Sequence, residues 1–112
     1  MADALGAFEQ AVLITVIRLE GEAYGRGILK EVQVRLDRDI APGAVHATLD
    51  RVEKKRMLSS NLGSGTAVRA RRPRRYYRVT PAGVRALYKA REAVETIWRG
   101  LEWPIAGKRR HA

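Results

Sequence analysis

The densest chemistry in this sequence lies between Lys54 and Arg78. That stretch of 25 residues holds nine lysines and arginines and no acidic residue. Residues 1–53 carry six basic against nine acidic residues, and residues 79–112 carry seven against three. The net charge of +10 therefore comes almost entirely from one block. Self-repulsion makes such a block costly unless a polyanion faces it. Arginine dominates it, with Arg69, Arg71, Arg72, Arg74 and Arg75 close together. A guanidinium stays charged and donates paired hydrogen bonds in one plane, which suits phosphate. Neutralising phosphates releases condensed counterions, and this drives binding to a duplex. A solvated charge run in a loop is the plainer explanation, and the charges alone do not separate the two.

Other chemistries find little support. Cysteine is absent, and His46 and His111 are the only histidines, so a zinc site has no ligand set. Asp50 and Glu53 read as a solvated or salt-bridged helix face, although Asp50 could also accept from a cytosine amino group. Gly63-Ser64-Gly65 lacks the lysine and the helix of a phosphate loop. No nucleophile–base pair appears. The expectation is a protein that is not an enzyme and uses no cofactor or metal. No apolar run approaches the ~20 residues of a membrane helix. Met1 to Glu9 lacks the basic flank of a secretory signal. A cytoplasmic protein with no membrane partner is expected.

Elements must position the cations. Leu5 to Leu19 reads as a helix, with Leu5, Phe8, Val12, Val16 and Leu19 at helical spacing. Leu13, Ile14 and Ile17 widen that stripe, and Gly21 falls just past the end. Tyr24 to Leu36 reads as a second helix burying Ile28, Leu29, Val32 and Leu36. Its Gly25 and Gly27 lower local helix propensity by up to ~1 kcal/mol each and leave room for another backbone to come close, which the sequence does not decide. A third helix runs from about Pro42 to Lys55, with proline suited to the first position. Val45, Leu49 and Val52 form its buried face. Gly43, His46, Ala47, Asp50, Arg51 and Lys54 fall elsewhere, mostly toward solvent.

Leu58 to Leu62 and Arg75 to Val79 read as strands around a long basic loop. Tyr76 and Tyr77 alternate there, so one should face the core and the other the surface. Thr80 and Pro81 open a last helix, with Thr80 as N-cap, running to about Glu102. Its stripe comprises Val84, Leu87, Arg91, Val94, Trp98 and Leu101, thickened by Ile97. A helix of ~20 residues needs tertiary partners, and a three-helix core is too small to cover all of it. The stripe therefore reads as a dimer seam, with packing on the chain's own core as the alternative.

This order gives a mainly α, α+β fold: a winged helix-turn-helix with a small β-hairpin, plus a long C-terminal dimerisation helix. Residues 1–80 would form the DNA-binding domain, 81–103 the dimerisation helix and 104–112 a disordered tail. The third helix can enter the major groove, about 12 Å wide. Its start offers unpaired N–H groups to a phosphate. The hairpin then lies beside the duplex as the wing.

Four segments together resemble a known family. They are Leu5-Gly6-Ala7-Phe8-Glu9, Glu22-Ala23-Tyr24-Gly25, the run from Gly43 to Glu53, and Arg74-Arg75-Tyr76-Tyr77-Arg78-Val79-Thr80-Pro81-Ala82-Gly83. They are similar to the corresponding parts of PadR-type regulators, over residues 5 to about 102. The resemblance implies a homodimeric winged-helix repressor of a pseudo-palindromic operator, in the short form with a single C-terminal helix. It places Gly43, His46, Ala47, Asp50, Arg51, Lys54, Lys55 and Tyr76 with the wing arginines on DNA. It places Leu5 and Phe8 with the last helix at the dimer interface. It also implies that Trp98 could stack a small hydrophobic or aromatic inducer. His46 stands where the family usually has tyrosine, so its backbone contact would be shorter. The rival readings are an architectural or RNA-binding protein that reads no bases, and an interaction adaptor that uses the fold without DNA.

Overall fold

The computed structural model describes residues 5–63 and 74–101. Its elements are α1 (Ala7–Arg18), α2 (Gly25–Leu36), α3 (Pro42–Lys54), β1 (Leu58–Leu62), β2 (Arg75–Val79) and α4 (Pro81–Trp98). The order and both strand boundaries agree with the sequence pattern. α4 is shorter than expected, ending at Trp98 rather than near Glu102. Arg99 leaves helical geometry and Gly100 takes a left-handed φ of 82°, which stops the helix.

Helices α1, α2 and α3 close around one core of Val12, Leu13, Val16, Ile28, Val32, Val45, Leu49 and Val52. Leu58 and Tyr77 add the inner face of the hairpin. Burying each of these aliphatic side chains stabilises the fold by roughly 1.5–3 kcal/mol. Leu36 departs from the expected stripe and is exposed. The chain turns away directly after it, where Asp37 caps α2 in the left-handed region. Gly25 and Gly27 differ here: a Cβ on Gly25 would meet nothing within 4 Å, whereas one on Gly27 would make ordinary contact with the Tyr24 ring at 3.6 Å and the Glu22 backbone carbonyl at 3.7 Å.

The strands β1 and β2 pair antiparallel, with Leu58 opposite Val79 and Leu62 opposite Arg75. A third, one-residue rung joins them: Tyr24 bridges Tyr76, and the Tyr77 N–H donates to the Ala23 carbonyl at 2.8 Å. The hairpin base is thereby tied to the entry of α2. Tyr77 is buried and Tyr76 half-buried, in keeping with their alternation. Burial pushes the Tyr77 hydroxyl pKa up, with Arg75 partly opposing.

The α3–β1 connection is a Schellman turn. The Arg56 N–H donates to the Glu53 carbonyl and the Met57 N–H to the Val52 carbonyl. Arg56 accordingly sits at φ 64°. The Thr80 hydroxyl then joins three elements: it accepts from the Gly83 N–H at 3.0 Å and donates to the Arg56 carbonyl at 2.8 Å. Gly83 lies so close beneath this turn that an added Cβ would collide with the Met57 carbonyl and, at 2.7 Å, with Val79.

Candidate nucleic-acid interface

The buried face of α3 fixes which residues are left outside. With Val45, Thr48, Leu49 and Val52 inward, Gly43, His46, Ala47, Asp50 and Lys54 are exposed. Gly43, Ala47, Asp50 and Lys54 follow at i, i+4, i+7 and i+11, so they form one continuous strip. The N-cap of α3, Ala41, makes no side-chain cap, and the first turn holds no acidic residue. Pro42 has no N–H and the Ala44 N–H donates to the Ala41 carbonyl at 2.9 Å, so it is the positive dipole end of α3, with no acidic side chain against it, that faces an incoming anion. A Cβ on Gly43 would meet nothing within 4 Å, so this end of the strip is open.

Two of the residues expected on DNA, Arg51 and Lys55, pair with a carboxylate of α1. The Arg51 Nε donates to Glu9 Oε2 of α1 at 2.9 Å, and its Nη2 to Thr48 Oγ1 at 3.1 Å. Lys55 Nζ lies 3.5 Å from the same Glu9 oxygen. Glu9 is buried, and its other oxygen accepts the Gly6 N–H at 3.0 Å, half of a capping box. Burial alone would raise the Glu9 pKa. The Arg51 hydrogen bond, the Gly6 N–H and the charges of Lys55 and Arg51 outweigh it and hold it below the ordinary carboxylate value. Glu9 had no role in the sequence reading beyond the family resemblance. Its spacing from Gly6 signals a capping interaction, but nothing in the sequence signals a partner 42 residues away.

At the hairpin, the Arg74 guanidinium lies 4.2 Å from the centroid of the Tyr24 ring. Tyr76 packs edge-on against the same ring at 5.8 Å. Arg75 donates to Ser60 Oγ, which in turn donates to Glu53 at 2.7 Å. Both arginines remain exposed at the wing base. Arg69, Arg71 and Arg72 lie outside the described residues.

The expected dimer residues divide. Leu5 is buried in the chain's own core and Phe8 is half-buried against it. Leu87 is half-buried, while Val84, Arg91, Val94, Ile97, Trp98 and Leu101 are exposed. Ile14 and Ile17, expected in the core stripe of α1, are instead 40% and 45% exposed. They face α4 across a groove of about 600 Å³ that also meets Val84, Leu87, Tyr88 and Val94. Among the described residues no cluster of histidine, aspartate or glutamate could hold a metal, and no helix is long and apolar enough to cross a membrane.

The family model for PadR-like transcriptional regulators matches residues 13–89, from the middle of α1 to the middle of α4. The chain belongs to the PadR-like family. Solved relatives agree. A transcriptional regulator from Clostridium thermocellum is 27% identical, with a TM-score of 0.65 over 81% of this chain and 85% of that one. A PadR family regulator from Clostridium difficile is 25% identical, with a TM-score of 0.56 over 88% and 95%. One from Eggerthella lenta, 24% identical with a TM-score of 0.62 over 90% and 81%, shares the fold. No curated protein matches the sequence. This PadR-like chain is accordingly a DNA-binding transcriptional regulator with a winged-helix fold.

Proposed function

We propose that the protein is a sequence-specific repressor that grips a pseudo-palindromic operator as a cytoplasmic homodimer. The observation that carries this reading is the open strip of α3, Gly43 to Lys54, beside a hairpin that exposes Arg74 and Arg75. Ala47 and Asp50 would read base edges in the major groove. Gly43 and His46 would meet the backbone at the start of α3, and Lys54, Arg74 and Arg75 would meet phosphates further along. The loop arginines Arg69, Arg71 and Arg72 would add sequence-independent affinity. Tyr76, packed on Tyr24, would hold the wing base in place.

Dimerisation through α4 supplies the second half-site, about one helical turn or ~34 Å from the first. The support is the apolar surface of Ile14, Ile17, Val84, Val94, Ile97, Trp98 and Leu101, none of it inside the chain's own core. The groove between α1 and α4, lined by Ile14, Ile17, Val84, Leu87 and Tyr88, would also receive a small hydrophobic or aromatic inducer, and Trp98, one turn past Val94, would stack on it. Quenching of fluorescence by planar ligands, lost in Trp98→Ala, would support that element of the reading.

The deciding experiment is fluorescence anisotropy with duplex from the protein's own upstream region against random duplex of equal length. Operator binding should be tighter by about 10³-fold or more. Equal binding would favour the architectural reading. No binding to any duplex at modest salt would remove the regulator mechanism proposed for α3.

A further inference from the structure

We infer that Glu9 is a specificity-determining residue: it turns Arg51 back from the duplex toward α1 and fixes the recognition helix there. The inference rests on the reading of α3 as the DNA-reading element. Arg51 follows Ala47 by one turn and adjoins Asp50, so it stands at the edge of the exposed strip. A guanidinium in that place would seize a phosphate of any sequence. Such a contact strengthens specific and random binding alike and carries no base information. The structure directs it otherwise. Its Nε is held by Glu9 of α1 at 2.9 Å and its Nη2 by Thr48 of α3 at 3.1 Å, so one donor is tied to α1 and a second to its own helix.

The geometry at Glu9 fits a positioning role. Arg51 on α3 and Lys55 at its C-cap are one turn apart and converge on a single oxygen, Oε2, at 2.9 and 3.5 Å. The other oxygen is fixed by the Gly6 N–H at the start of α1. Two points on one helix meeting one point on another resist rotation of α3 about its axis, and that rotation decides which side chains reach the bases. Stability alone is a weak reason for such a pair. The Arg51 side chain is half exposed, and an ion pair screened by solvent contributes little to stability. Here Glu9 lowers the cation count presented to the backbone and leaves the base-reading strip unchanged. The ratio of specific to random affinity rises as a result.

Salt titration of duplex binding tests this, because the slope of log K against log salt counts phosphates neutralised, at about 0.9 each. In Glu9→Gln the slope on random duplex should steepen by about 0.9, and random affinity in low salt should rise several-fold. The operator-to-random ratio should fall. Arg51→Gln in the parent should leave the slope unchanged, and Glu9→Gln with Arg51→Gln should return to it. An unchanged slope in Glu9→Gln overturns the proposal, as does a loss of about 0.9 in Arg51→Gln alone. Should Glu9→Gln fail to fold by circular dichroism, the Arg51→Gln slope decides by itself. A parent protein that binds no duplex removes the DNA reading and this inference together. A parent that prefers its operator, with no slope change in Glu9→Gln, removes this inference only.

Discussion

Val52 and Val94 are the same side chain in the same kind of element. Val52 on α3 is fully buried, whereas Val94 on α4 is 49% exposed. Around Val52 lie α1, α2 and the hairpin, all converging on one core. From Arg91 to the end of α4 every residue is exposed. The inner half of α4 differs: Ala86, Leu87 and Ala90 pack on the core, and Gly83 is buried. One helix thus belongs to two environments, anchored at its start and apolar but uncovered at its end. The apolar side chains of the outer half meet nothing in the core that holds the inner half, so on the proposed reading a second copy of the chain covers them. The comparison teaches that the core and the outer helix should respond to truncation through different equilibria, unfolding for one and association for the other.

The largest effect should come from the core. Leu49→Ala should lower unfolding stability by about 2–5 kcal/mol, the range for deleting a buried leucine. Urea denaturation measures it, and a loss under about 1 kcal/mol would mean α3 is not anchored as described. Next comes the outer helix. Trp98→Ala should leave the far-ultraviolet spectrum of dilute protein nearly unchanged, yet weaken self-association about 30-fold, as for an interface hot spot of ~2 kcal/mol. Sedimentation equilibrium reads it. The parent's melting temperature should also rise with protein concentration. Association unaffected by Trp98→Ala would erase the distinction between the two regions.

The joint between them gives a third, smaller effect. The Thr80 hydroxyl caps α4 and also holds the Arg56 carbonyl. Thr80→Ala should cost about 1 kcal/mol, the usual loss of an N-cap. Thr80→Ser keeps the oxygen and should recover most of it. A loss in Thr80→Ser equal to that in Thr80→Ala would show that the hydroxyl bonds do not join the halves.

Much of this was legible in residue order. Period and punctuation gave the helices, because Val45, Leu49 and Val52 can share only one face, and Thr80-Pro81 is a start signal that works locally. The wing strands were legible for the same reason, since Tyr77 and Val79 alternate with polar neighbours. The misreadings are all of one kind. Ile14 and Ile17 look like core residues in a helix this apolar, and only the position of α4 reveals that they lie beyond the core. Leu5 and Phe8 came to the dimer seam from the family resemblance, and nothing in sequence shows that they pack on the chain's own core. The Arg51–Glu9 pair was not legible, since a charge pattern along one helix carries no record of another helix's carboxylate. Local geometry is written in spacing, whereas pairing across the fold is written only in packing.

That pair also supplies the smallest effect, and its sign can be worked out. Glu9 has a pKa lower in the folded chain than in the unfolded one, for which the ordinary value is about 4.3. A lowered carboxylate pKa contributes stability that is fully present above the unfolded value. The contribution fades as pH falls through the folded value, because the unfolded chain takes up the proton first. The parent should therefore lose this increment progressively below about pH 4.3 and show no change from it near neutrality. The Arg51 side chain is half exposed, so solvent screening keeps the increment under about 1 kcal/mol. Subtracting the stability–pH curve of Glu9→Gln from that of the parent isolates it. A difference that grows with pH across that acidic window supports the tether between α1 and α3. A flat difference would mean the core is held by apolar packing alone at this point, and Glu9 would then matter only for how α3 meets DNA.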